Sequence, residues 1–557
     1  MKILSRQIAA CAAALVATVV VSGSAAPAQI QAIPHPSLPR GLASITGVVM
    51  GEGRPVPGAT VVLSAHDHWS PNVPEVMFSN QETISDAGGR FAFVNLPSLP
   101  LMVSASASGF ATGIYGQSRP GFDGTPIQLA GSQKFEATIL LARGRRISGA
   151  VQDARGVPAA GIEVYAFRLR PMGDTELLMS DGGHAVTDER GQFTISDLPV
   201  GRFQMMAYRK WGNWEPSPIQ KGLEGEPAIE SAADEIEAIE LDPGESRTGV
   251  ELRLRLKPTT TIAGRVRYAD ESPASGARVR LFPRDGQPFA VSEAVAGADG
   301  SFELGRVTPG PYRVVAYSQP GEQRWGDAVV ESDGRKRSET VIDLRPGATV
   351  SGRVVYAGRS AIEMARPVTL FFARILSGMR DDVPGLARSA ATPEFTYRGV
   401  PPGRYTIFVN RESLQPGWFV QSEMVDGLDA LDFPFAVRGA ETKQVLITLS
   451  DAWTEIAGRV TDRNNAASTE GTVVVFPVDE SYWGVFSRRI ETIRPDTNGQ
   501  YRLRGLPAGE YVLALGNSEI YGRPHSSLLR KLRSAGRRFT LRPGDSLRID
   551  VPGPRQF

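Results

Sequence analysis

The 557-residue chain carries 61 Lys and Arg against 60 Asp and Glu, a formal net charge of +1. That balance excludes the basic footprint of a nucleic-acid binder and the acidity of a solvating tail. Apolar residues make up 41%, ample for packed cores, 59 Gly and 41 Pro point to many turns, and a single Cys excludes a disulfide framework.

Met1 to Gln7 carries Lys2 and Arg6, an apolar run extends from Ile8 to Val21, and small residues lead to Ala26-Pro27-Ala28. This is the layout of a secretory signal peptide over 1–28, with cleavage before Gln29. The run is shorter than the ~20 residues a membrane span needs, so no span is expected in the mature chain. Too few residues precede Ile8-Ala-Ala-Cys11 for the apolar core of a lipidation leader, so Cys11 reads as a small apolar residue in the discarded segment. The mature protein is then free of cysteine, and its formal charge, +1 less Lys2 and Arg6, is −1.

Beyond a short leader at 29–42, an apolar-x-Gly-x-Val opening recurs: Ile45-Thr-Gly47-Val-Val49, Ile147-Ser-Gly149-Ala-Val151, Ile262-Ala-Gly264-Arg-Val266, Val350-Ser-Gly352-Arg-Val354 and Ile456-Ala-Gly458-Arg-Val460. Its alternation suits a strand with one buried face, and its Gly a close backbone approach or a bulge. A turn and a second strand follow, as in Pro57-Gly58-Ala59-Thr-Val61-Val-Leu63. Further on comes Asp188-x-x-Gly191-x-Phe193-x-Ile195-x-x-Leu198-Pro199-x-Gly201-x-Phe203, repeated with the same spacing at Asp496 to Tyr511. There Asp188 is expected to bond its own backbone two residues on, and Gly191 to take the positive φ of a tight hairpin. Each repeat closes on another alternating strand, such as Val250, Leu252, Leu254 and Leu256. The one helical stretch is Ser526 to Ser534, with Leu528, Leu529 and Leu532 on a common stripe.

A period of roughly one hundred residues is too long for a solenoid unit and right for a small domain with its own core. Short strands between turns predict an all-β chain, a tandem array of five antiparallel β-sandwiches at 43–143, 144–257, 258–346, 347–451 and 452–557. Junctions such as Leu256-Lys-Pro-Thr-Thr-Thr-Ile262 are short, which predicts a semi-rigid, elongated or gently bent string.

The Gly-x-Val opening, the Pro-x-x-Gly-Ala-x-Val strand, the Thr-Asp-x-x-Gly-x-Phe hairpin and the Leu-Pro-x-Gly-x-Tyr turn together resemble the carboxypeptidase regulatory-like domain. The resemblance covers nearly all of the chain after the leader and implies a transthyretin-like, prealbumin-type sandwich. Gly417-Trp418 and Asp426-Gly-x-Asp429 look like multi-module exported bacterial proteins of this family. Two hairpins depart from the pattern, at Leu96-Pro97-Ser98-Leu99 and at Thr392-Pro393-Glu394-Phe395, where altered turns are expected.

The residues argue against catalysis. A zinc peptidase needs a His-x-x-Glu pair, and none of His35, His66, His68, His184 and His525 has a Glu three residues on. His66-x-His68 lacks a third ligand nearby, and Gly-x-Ser-x-Gly, phosphate-cradling and nucleophilic-Cys motifs are missing. The acidic stretch Glu224 to Glu240 has no recognised Ca²⁺ spacing and reads as a solvated loop. No catalytic residue, metal or cofactor is therefore expected. Binding is more open. Trp69, Trp211 and Trp214 fall in nonrepeating loops, where a flat ring suits stacking on a sugar or anchoring an interface. Trp325 and Trp418 each lie thirteen residues after a strand aromatic, Tyr312 and Tyr405, and that repetition predicts a structural role. The expected function is a non-catalytic exported scaffold or adhesion protein in the periplasm, on the outer surface or released. A glycan-binding protein is the alternative, and an accessory subunit of an extracytoplasmic enzyme a third. The partners implied are a glycan or a cell-envelope protein; oligomeric state and ligand are not written in the residues.

Overall fold

The computed structural model describes residues 40–552 apart from 66–79, 98–99, 130, 154, 180–181, 210–227, 231–236, 285–290, 320–323, 359–367, 377–378, 383–388, 392, 411–412, 415–417, 485–486, 497, 518–519 and 521–522. The signal peptide, Trp69, Trp211, Trp214, His66 and His68 lie outside the described residues, as does most of Glu224 to Glu240.

The chain is an all-β protein of several sandwiches, and its sheets follow one another in facing pairs. In the first pair, Ala43–Gly51 lies between Arg90–Leu96, antiparallel, and Lys134–Arg143, parallel. The facing sheet runs Gln81–Ile84, Thr60–Ala65, Pro100–Ser106, Gly113–Ile114. The openings at Arg145–Gln152, Thr260–Arg267, Ala348–Tyr356 and Glu455–Thr461 repeat this arrangement, each with one antiparallel and one parallel neighbour. The sandwich class holds, with a parallel pair in each unit that alternation alone does not announce. Because first and last strands run in the same direction, the chain enters a sandwich at one end and leaves at the other.

The recurring Gly is a matter of close approach. A Cβ on Gly47 would stand 1.9 Å from the Ala137 carbonyl oxygen and 2.8 Å from Cζ of Phe91, its cross-strand partner. On Gly264 it would meet Thr340 O at 2.1 Å and Phe302 Cζ at 2.9 Å. The aromatic ring of the hairpin strand therefore lies on bare backbone of the opening strand, where any side chain would push it off.

The hairpin works as its residues predict. Asp188 Oδ1 accepts from Arg190 N (2.9 Å) and Gln192 N (2.8 Å), and Gly191 has φ +72°. Asp496 does the same with Asn498 N and Gln500 N. A feature absent from the sequence reading follows two residues after the inward Ile195: Asp197 takes φ 63°, the register shifts, and Leu198 still points inward. Asn95 and Arg306 make the same bulge at φ 58° and 60°. The departures at Ser98-Leu99 and Thr392 fall outside the described residues.

Each sandwich has a buried apolar core, such as Ile45, Val61, Phe91, Phe93, Val103 and Ile139 in the first. The helix spans Ser526–Ala535 and lays Leu529, with Leu532 beside it, on Val474, Phe476, Trp483 and Val512 of the last sandwich. The expected elongated string is not what the chain path shows. Ser526 N donates to Asp174, 352 residues away in sequence, so the fifth sandwich returns to the second.

Candidate functional site

The densest group of buried charges joins the fourth sandwich to the fifth. Strand Phe419–Val425 turns through Asp426 (φ 50°) and Gly427 (φ 82°) into Leu428–Asp429. This is the two-residue hairpin that requires positive φ at both central positions. It presents Asp429, whose Oδ1 accepts from Glu423 N (2.9 Å) and Leu431 N (3.1 Å). Its Oδ2 receives Arg488 Nη2 of the fifth sandwich at 2.6 Å. Asp432, with only 2% of its side chain exposed, is held by both Arg488 Nε (3.1 Å) and Arg489 Nη2 (2.8 Å). Arg488 also reaches the Gln421 carbonyl, and Arg489 the Ala508 carbonyl and Tyr511 Oη. Two arginines and two aspartates thus cancel in charge with nearly every donor spent. That is the condition under which ion pairs tolerate burial.

The electrostatics follow from these contacts. Burial alone would raise the Asp432 pKa, but the two guanidinium groups overcome it and hold the carboxyl below the usual carboxylate value. Burial opposes the charge on Arg489, while Asp432 favours it and keeps the group protonated. The Arg489 guanidinium lies 4.5 Å from the Tyr482 ring centroid, and Tyr482 in turn packs on Phe433 across the joint at 5.0 Å. Behind the network sits Glu423, fully buried, with Oε1 accepting from Ile407 N at 3.0 Å. Burial pushes its pKa well above the ordinary carboxylate value, with the Asp429 charge adding to the shift, so the fold favours the protonated carboxyl.

A cleft of about 680 Å³ opens beside the network, lined by Asp479, Glu480, Tyr482, Arg489, Glu510 and Arg533. Asp479 spends its carboxylate on Ser481 N at 2.9 Å, and Glu480 pairs with Arg530 and Arg533, both at 3.0 Å. Asp479 thus caps its own short turn, Glu480–Tyr482, and Glu480 is committed to holding the helix. Among the described residues no group of three His, Cys, Asp or Glu could hold a metal ion. Chemically the arrangement acts as a joint.

The other joints have different chemistry. Between third and fourth sandwiches the core is continuous: Phe282, Val315, Tyr317 and Trp325 of the third cluster with Ala348, Val350 and Trp418 of the fourth. Trp325 is 3% exposed, with the Arg345 guanidinium 4.3 Å from its ring centroid, and Trp418 packs edge-on to Tyr356 at 5.3 Å. Between first and second, Gly144 N donates to Gly109 O, Gly109 N to Asp197 Oδ1, and Arg170 pairs with Asp123. Sequence reasoning singled out Asp426-Gly-x-Asp429 but passed over Asp432, Arg488 and Arg489. The Arg488-Arg489 pair between Ser487 and Ile490 was the available signal, yet nothing local names its acidic partner.

Two segments, residues 44–140 and 261–348, match the family model of the carboxypeptidase regulatory-like domain. Over these two stretches the chain resembles that domain. The matches fall on the first and third sandwiches, which repeat the topology of the others. Among solved structures, a streptococcal ancillary pilin aligns over 54% of this chain and 99% of its own at 11% identity, with a TM-score of 0.21. The minor pilin of Streptococcus agalactiae aligns over 39% and 98% at 13% identity and 0.21. The full-length major pilin of Streptococcus pneumoniae aligns over 92% and 100% at 8% identity and 0.16. No curated protein matches the chain.

Proposed function

We propose that this protein is a non-catalytic exported scaffold. Its carboxypeptidase regulatory-like sandwiches, bounded at 43–143, 144–257, 258–346, 347–451 and 452–557, act as one coupled body. A signal peptide over 1–28 directs it to the periplasm, the outer surface or the medium, where it presents or spaces envelope components. The observation that carries the reading is the apolar core that runs without a break from Phe282 and Trp325 into Val350 and Trp418. Independent binding modules on tethers have no need to merge cores; a body that must transmit position does.

Calorimetry of the full chain and of Trp325→Ala tests it. Removing a buried indole costs about 3–5 kcal/mol. In a coupled body that loss lowers the transitions of the third and fourth sandwiches together. If the fourth unfolds at its original temperature in the variant, the sandwiches are uncoupled and the scaffold reading fails.

A further inference from the structure

A strand extension of the second sandwich meets an insertion of the fifth. In the second sandwich the strand Ile162–Met172 is 11 residues long, where its counterparts Thr60–Ala65, Arg278–Pro283 and Thr472–Pro477 have 6 and Val368–Leu376, which carries a hairpin of its own, has 9. Its extra length forms a hairpin with Thr175–Met179 that turns at Gly173 (φ 64°). In the fifth, the segment from Arg523 into the helix Ser526–Ala535 interrupts the path between strands Gly509–Gly516 and Arg537–Leu541. The hairpin tip and this segment meet in a single parallel β-bridge, Met172 opposite Arg523. Gly173 N donates to Arg523 O and Arg523 N to Pro171 O, each at 3.1 Å. Asp174 Oδ1 then accepts Ser526 N at 2.8 Å, at the free amide end of the helix, with His525 Nδ1 3.6 Å away. The Arg523 side chain, 8% exposed, turns back to the Ser487 carbonyl and so pins the segment to its own sandwich.

We propose that this contact is a releasable clasp, and that it sets the length of the scaffold. The chain path links second, third, fourth and fifth sandwiches, and the clasp returns the fifth to the second, so the four form a closed loop. The clasp consists of two backbone hydrogen bonds, one helix-end hydrogen bond and an exposed His–Asp contact. Two of the three joints inside the loop are an apolar core, between third and fourth, and a buried four-charge network, between fourth and fifth. Under load or thermal motion the clasp opens first, and it lengthens the array without unfolding a sandwich. The proposal rests on the scaffold reading, but its readout is separate: clasp variants keep the coupled transitions that Trp325→Ala tests.

The test uses the full chain in a Cys11→Ser background, Cys11 being the only cysteine. Paired neighbouring strands lie about 4.8 Å apart, within disulfide reach. Met172→Cys with Arg523→Cys is therefore expected to form a disulfide within one molecule on mild oxidation, leaving the radius of gyration from X-ray scattering unchanged. Asp174→Ala, which touches no core, is expected to raise that radius by roughly a fifth, as the second sandwich swings away from the fifth at the second–third connection. A disulfide that forms only between molecules, or not at all, overturns the proposal. So does a radius left unchanged by both Asp174→Ala and Arg523→Ala.

Discussion

Replacing Asp432 by Asn tests whether the joint between fourth and fifth sandwiches is held by buried charge. The amide keeps the shape of the carboxyl and removes its charge. Arg488 then retains Asp429 at 2.6 Å and the Gln421 carbonyl. Arg489 loses the carboxylate that pairs with it and keeps the Ala508 carbonyl and Tyr511 Oη. Breaking one partner of a buried pair costs about 3–5 kcal/mol, and the surviving contacts of Arg488 put this case near 3 kcal/mol. For a unit of about two hundred residues that lowers the unfolding midpoint by roughly 6–12 °C. The measurement is scanning calorimetry of the full chain at pH 7, with the transitions of fourth and fifth sandwiches falling together. The pH dependence has a definite sign. Asp432 has its pKa depressed in the folded state, so its contribution is present above the ordinary carboxylate value of about 3.9 and is lost as pH falls through the folded value. Wild-type protein should therefore lose part of its advantage over Asp432→Asn below about pH 4. A midpoint change under about 2 °C, or one identical at pH 7 and pH 3, would refute the argument.

Gly264→Ala should cost about 3 kcal/mol, because its Cβ would overlap the Thr340 carbonyl oxygen and press on Phe302. Gly305→Ala, with nothing within 4 Å, should lie within about 0.5 kcal/mol of wild type in the same melt. Glu423→Gln should stabilise the protein more at pH 8 than at pH 5. The unfolded chain ionises Glu423 as pH rises while the folded chain, with its raised pKa, resists, so the wild-type residue penalises folding increasingly toward high pH. Urea unfolding at both pH values checks this; the same change in stability at the two would refute a raised Glu423 pKa.

The repeated motifs were legible because their physics is local or nearly so. Asp188 bonds amides two and four residues on, Gly191 needs only its own φ, and Phe193 alternates with Ile195 whatever lies beyond. The helix was legible from the spacing of Leu528, Leu529 and Leu532, and it ends one residue later than the spacing suggests. The bulge at Asp197 was not, since an Asp in left-handed backbone leaves no compositional mark beside the ordinary turn residues around it. The charged joint was half visible. Asp426-Gly427 announced a tight hairpin, but Asp432 and Arg489 are 57 residues apart and neither has a local signature of burial.

What the residues determined on their own was the sandwich: strands, turns, the aromatic-on-glycine contact and the core faces, all set by alternation and backbone preference within one repeat. What only the tertiary structure decided was how sandwiches meet. The same Gly-x-Val opening and hairpin lead into a polar joint, an apolar one, a charged one and a return clasp. Each depends on side chains that become neighbours only after separate units have folded. Nothing in the residues of Ile162–Met172 or of the segment at Arg523 names the other, and their fit arises from where the intervening sandwiches place them. Strand pairing within a repeat is a short-range consequence of sequence; docking between repeats is a property of surfaces, and surfaces exist only in three dimensions.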